Sequence, residues 1–143
     1  MKNYLYGIAL LGICFISTQC DSAGQVLNTG SRVQLDGMYR IQSIEGENAL
    51  NAQTIRFSGL SRTVTGNGGC NTYNASFTVD NLVLNIGEIA STRKTCPDID
   101  AENKLFEALR KVRYYSSRDN QLTLYAADNE TILVRATERE NTE

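Results

Sequence analysis

Apolar and polar residues alternate most cleanly after residue 71. Tyr73, Ala75, Phe77 and Val79 are apolar, and Thr72, Asn74, Ser76 and Thr78 stand between or before them. A period of two puts one set on one face of a β-strand, so this segment predicts a half-buried strand. Asp80 and Asn81, both tolerant of positive φ, predict a two-residue hairpin loop, and Leu82, Leu84 and Ile86 return along the same face. Shorter runs at residues 38–44, 54–57, 62–65, 114–116, 122–125 and 132–134 also read as strands, with Ile89 and Ala90 continuing the chain past Gly87. In the first run Tyr39, Ile41 and Ser43 share one face while Met38 and Ile44 take the other; in the second, Ile55 and Phe57 point inward. Residues 45–52 are polar and read as a loop.

The period changes once, at residues 97–112. Leu105, Leu109 and Val112 fall at i, i+4 and i+7 with Phe106 beside them, which predicts an amphipathic helix. Asp98 or Asp100 is placed to cap its start, and Glu107 and Lys111 can pair across one turn. The fold expected is mainly β: a small antiparallel barrel-like sheet of about eight short strands with one α-helix inserted. Residues 137–143 are charged, lack apolar anchors and are expected to fray as a disordered tail.

The N-terminal residues follow neither pattern. Met1, Lys2 and Asn3 make a short basic start, and residues 4–16 form an apolar run too short to span a bilayer but suited to a secretory signal. Small and polar residues then lead to Cys20. Residues 1–19 thus resemble a bacterial lipoprotein signal peptide, with Cys20 the lipid-bearing first residue of the mature chain. The box departs from the usual one, with Ser17 where leucine and Gln19 where a small residue are preferred. The competing reading is an ordinary secreted protein in which Cys20 is incidental. Residues 20–34 read as a flexible tether, and residues 35–136 as the one domain that 143 residues comfortably hold. The location expected is the cell envelope, lipid-anchored to the outer membrane.

Composition narrows the chemistry. Histidine is absent from the chain, which removes Ser-His-Asp and Cys-His catalysis and the commonest zinc ligand, while carboxylate and lysine chemistry stay open. The net charge is -2 with no basic block, so nucleic acid is not an expected partner. The expectation is a monomeric non-enzyme without cofactor or metal, with an envelope protein as partner. Of the four cysteines, Cys14 lies in the signal and Cys20 carries lipid, leaving Cys70 and Cys96 to pair in an oxidising compartment. Such a bridge would close a loop of about 27 residues, worth roughly 3–4 kcal/mol; the alternative is two free buried thiols.

Three other patterns resemble sites. Gly66, Gly68 and Gly69 suggest a phosphate loop, but no Walker lysine follows and a strand comes next, so turn glycines explain them better. Asp98, Asp100 and Glu102 have the spacing of the first calcium-loop ligands, but the sixth position is not glycine and the twelfth is Leu109. Arg93, Lys94, Arg110, Lys111 and Arg113 could form a basic surface, and a solvated face is the plainer reading.

Successive segments carry a family resemblance. Leu35-Asp36-Gly37-Met38-Tyr39-Arg40-Ile41, Ile55-Arg56-Phe57, Gly68-Gly69-Cys70-Asn71-Thr72-Tyr73, the stretch from Ile86 to Cys96 with its Thr92, and Glu102-Asn103-Lys104-Leu105-Phe106-Glu107-Ala108-Leu109 resemble the signatures of the META domain, the HslJ-like family. Tyr39 stands where the family usually has tryptophan, and Arg93-Lys94-Thr95 replaces the usual segment before Cys96. The resemblance implies a β-rich barrel-like fold with one helix, often lipid-anchored or periplasmic. It implies structural roles for Gly69, Asn71, Tyr73 and Thr92, with no catalytic residues to carry over. It also implies links to envelope stress, heat-shock expression and novobiocin resistance. The function expected is a stress-protective or protein-interaction module; the alternative is a lipocalin-like carrier of a small hydrophobic ligand.

Overall fold

The computed structural model describes residues 35–139, so the signal, the tether and Cys20 lie outside the described residues. Each alternating segment takes a place in one antiparallel sheet. The strands are β1 (Gly37–Ile44), β2 (Glu47–Asn48), β3 (Thr54–Ser58), β4 (Thr63–Asn67), β5 (Thr72–Asp80), β6 (Val83–Ile86), β7 (Ala90–Ser91), β8 (Tyr114–Arg118), β9 (Gln121–Tyr125) and β10 (Ile132–Glu138), with helix α1 (Ile99–Lys111) between β7 and β8. Eight of them follow the order β6-β5-β4-β3-β1-β10-β9-β8, while β2 pairs with β1 and β7 with β5. The sheet curls until its outer strands approach, and the Leu84 amide donates to the Arg113 carbonyl at 2.7 Å across the seam. The result is a nearly closed barrel, which leaves little free strand edge.

Inward-facing side chains fill the barrel. Ile55, Phe57, Val64, Leu84, Leu122, Leu124 and Val134 have no solvent exposure, and Tyr39, Tyr73 and Phe77 are also buried. Phe57 and Phe77 meet edge to face with ring centroids 5.3 Å apart, as do Tyr73 and Phe106. Helix α1 lies against this core through Leu105, Phe106, Ala108 and Leu109. Its lysines reach outward, Lys104 to Glu47 and Lys111 to Glu45, tying the helix to the β1–β2 hairpin. Exposed pairs of this kind add at most about 1 kcal/mol each.

Several sequence-based expectations change in the structure. Ile44 is buried together with Tyr39 and Ile41, because a register shift between Ile41 and Ser43 in the β1–β10 ladder inserts an extra residue and reverses the alternation. The 45–52 loop contains β2, reached through Glu45 and Gly46, both at positive φ. The hairpin turn after β5 is Asn81-Leu82 rather than Asp80-Asn81: Asp80 pairs with Val83, and Leu82 sits at φ 70° with two-thirds of its surface exposed. No side-chain bond caps α1 at Asp98. Lys111 bonds Glu45 at 3.0 Å, not a helix neighbour. The tail does not fray at residue 137, since Thr137 and Glu138 pair with Arg40 and Tyr39 and extend β10 to Glu138.

The registers assign the turns to two ends of the barrel. Gly37 pairs with Phe57, Ser58 with Thr63, Asp80 with Val83 and Arg118 with Gln121. Hence the 59–62, 81–82 and 119–120 turns and the start of β1 share one end. The Glu45-Gly46 turn, the corner between β4 and β5, and α1 share the other.

Phe57 is fully buried and meets Phe77 edge to face, so Phe57→Ala should lower the unfolding free energy by about 3–5 kcal/mol. Urea unfolding followed by far-UV circular dichroism measures it; a loss below about 1 kcal/mol would mean that the interior is not packed as described.

Candidate functional site

Polar burial in this domain concentrates at one corner. Gln53, Asn71 and Glu102 are the buried polar or charged side chains among the described residues, at 0, 2 and 2% exposure. All three meet where β4 turns into β5 against the first turn of α1.

Glu102 is the charge at the centre. Its Oε2 accepts the Asn71 backbone N–H at 2.7 Å and, more loosely, the Cys70 N–H at 3.4 Å, and its Oε1 accepts Asn71 Nδ2 at 2.8 Å. A carboxylate with three donors and almost no water is held by hydrogen bonds alone. Asn71 is used completely. Besides Glu102, its Nδ2 donates to the Lys94 carbonyl at 3.3 Å, while its Oδ1 accepts the Thr92 hydroxyl and the Lys94 N–H, each at 2.8 Å. An amide side chain has two donor hydrogens and two acceptor lone pairs, and all four are occupied. The amide orientation follows from this set, because its oxygen faces only donors and its nitrogen only acceptors. Gln53 adds the third link: Nε2 donates to the carbonyls of Gly68 and Ala101 at 2.9 and 3.1 Å, and Oε1 accepts the Leu50 N–H at 2.9 Å.

The glycines make room for these bonds. A Cβ on Gly68 would stand 2.5 Å from Glu102 Oε2, and one on Gly66 would collide with the Thr54 carbonyl and the Tyr73 ring. Gly69 has φ +116°, a conformation costly for any other residue. Cys70 and Cys96 form a disulfide with Cα atoms 6.0 Å apart, joining this corner to the segment before α1. Tyr73 lies beneath the corner and donates to the Thr54 carbonyl at 3.0 Å, and burial raises its phenol far above the ordinary tyrosine range.

The sequence-predicted motif residues Gly69, Cys70, Asn71, Tyr73, Thr92 and Cys96 therefore converge on one structure. The glycines serve the turn, and Asn71 bonds the Thr92 hydroxyl and the Lys94 backbone as well as Glu102. Glu102 and its acidic neighbours do not assemble as a calcium loop, and no metal-ligand cluster occurs among the described residues. The basic residues also separate: Lys94 lies by the start of α1, and Arg110, Lys111 and Arg113 lie at its far end, about 20 Å of helix away. Arg113 bonds the carbonyls of Arg110 and Val112 there. Gln53 is absent from the sequence expectations, and the burial of Glu102 was not foreseen. Both were legible by position. Gln53 has the inward parity of Ile55 and Phe57, and Glu102 lies three, four and seven residues before Leu105, Phe106 and Leu109.

A cleft of about 360 Å³ opens elsewhere, at the β1 start and β10 end, lined by Asp36, Gly37, Met38, Arg56, Glu138 and Arg139. Four of these six residues are charged, so it is a polar surface cleft and not an apolar interior cavity.

An antiparallel barrel covered at one end by a helix, with a disulfide and a saturated asparagine at its glycine corner, defines a class of small β-rich domains. Within that class the chain belongs to the META domain family, whose model matches residues 31–139. No functionally curated protein matches the sequence. Among solved structures the fold is similar to a DUF4847 family protein from Bacteroides vulgatus, at TM-score 0.59 and 14% identity, covering 76% of this chain and 96% of that one. It is also similar to a protein from Burkholderia xenovorans solved by NMR, at TM-score 0.62 and 17% identity over 76 and 86% of the two chains.

Asn71→Asp keeps the shape but sets a second carboxylate against Glu102, and should cost about 3 kcal/mol or more in urea unfolding. Thr92→Val removes one of two donors to Oδ1 and should cost only about 1 kcal/mol. Equal losses would show that Glu102 is not the centre of the network.

Tyr73 sets an alkaline limit. Its folded phenol pKa is raised above the unfolded value, so the folded state retains a proton that the unfolded state releases. The stabilisation is complete below about pH 10 and declines above it, by up to about 1.4 kcal/mol per pH unit from this group. Tyr73→Phe should flatten the fall in thermal midpoint above that pH; an unchanged slope would count against a buried neutral phenol.

Proposed function

We propose that this META domain protein is a non-enzymatic cell-envelope lipoprotein, anchored through Cys20 and acting as a stress-protective or protein-interaction module. The observation that carries the reading is the saturation of Asn71, whose side-chain donors and acceptors are all spent inside the fold. The family motif thus has an architectural use. Recognition is then left to the outer surface of the domain, where an envelope protein is the proposed partner. The Cys70–Cys96 disulfide suits an exported chain, and the sequence from Met1 to Cys20 supplies the export and lipidation pattern. The proposed location is the outer membrane, and the proposed state is a monomer.

The carrier alternative needs interior space. Tyr39, Ile55, Phe57, Tyr73, Phe77 and Phe106 occupy the barrel interior and its helix-covered end, which favours the interaction module.

Intact mass of the membrane-extracted protein tests the anchor. The expected product begins at Cys20 and carries a diacyl or triacyl addition, and Cys20→Ala should release it from the membrane; an unmodified soluble wild-type product would refute the reading. Crosslinking in the native envelope with mass spectrometry then identifies the partner.

A further inference from the structure

Two large apolar residues are strongly exposed among the described residues, Leu60 at 91% and Leu82 at 66%. A single exposed leucine needs no explanation. These two lie on separate hairpin tips, the 59–62 turn and the Asn81-Leu82 turn, which the strand registers put at the same end of the barrel. The described chain begins at that same end, because Gly37 pairs with Phe57 one residue before β3 ends. In the proposed mature chain, the residues from Cys20 to the start of the described domain therefore enter it at the end that carries both leucines. Leu82 is also held at φ 70°, a left-handed conformation that asparagine or glycine adopts at less cost, so the turn keeps an apolar side chain against local preference. Charges at this end balance, Arg56, Arg62, Arg118 and Arg139 against Asp36, Asp80, Asp119 and Glu138, so attraction to anionic headgroups is not the driving force.

We propose that this end of the barrel is a bilayer-docking face, with Leu60 and Leu82 inserting into the headgroup–acyl boundary of the membrane that holds the lipid anchor. The proposal rests on the anchoring of Cys20 proposed above. Docking orients the domain: α1 and the Glu102–Asn71 corner lie at the opposite end and are presented away from the lipid. A lipid chain and a second, apolar contact together give a firmer attachment than the chain alone.

The protein lacks tryptophan, so single tryptophans report position without background. Leu60→Trp, Leu82→Trp and, as control at the opposite end, Asn51→Trp are introduced separately into the mature lipidated protein. Each protein is reconstituted into phosphatidylcholine vesicles with or without bromine on the upper acyl chain, and flotation is measured alongside emission. Docking predicts that bromine lowers emission by about two-fold for Leu60→Trp and Leu82→Trp, leaves Asn51→Trp unchanged, and is insensitive to salt. Vesicle-bound protein with no quenching at 60 and 82 would overturn docking while leaving the anchor intact. Protein that does not float with vesicles would overturn both.

Discussion

A carboxylate with 2% exposure has to be satisfied from within the protein, and Glu102 obtains its donors almost entirely from Asn71 and its neighbour. That demand explains the rest of the corner. The chain must bring two consecutive backbone N–H groups and an amide to one face of α1, which requires a sharp approach at Gly68, where a side chain would strike the carboxylate. Asn71 must then find partners for its remaining hydrogen and its oxygen, and these come from Thr92 and Lys94. Half of such a network would be worse than an apolar core, because every unpaired member would bear its own desolvation cost.

This network does for the barrel what sheet hydrogen bonds do not. The sheet joins strand to strand, but α1 meets it through side chains alone. Leu105, Phe106 and Leu109 supply adhesion without direction, and Glu102 supplies direction. Gln53 pins the helix carbonyl of Ala101 to the Gly68 carbonyl through one amide, and the disulfide limits how far the segment before α1 can withdraw. The two barrel ends thereby differ in kind. One is rigid, cross-linked and polar inside; the other consists of hairpin tips with two leucines in solvent.

Much of the barrel was readable from periodicity. The β5 alternation, the inward parity of Ile55 and Phe57, and the i, i+4, i+7 stripe of α1 all correspond to elements in the structure. Errors arose where one residue changes parity. The shift between Ile41 and Ser43 moves Ile44 inside, and the Asn81-Leu82 turn moves Leu82 out. Neither has a local signature, since a bulge and a turn register are chosen by the partner strand. Glu102 and Gln53 were missed for a related reason: polar residues on an inward face look like errors in a hydrophobic pattern until their partners are known.

The sequence by itself determined the strand-rich class, the helix, the family motifs and the absence of histidine chemistry, because these depend on residue type and spacing along the chain. Only the tertiary structure decided that Asn71 is saturated, that Glu102 is its partner 31 residues away, and that Leu60 and Leu82 share an end with the start of β1. Those facts depend on which strands pair and in what register. Such pairing is a property of the closed sheet, to which each segment contributes only one edge.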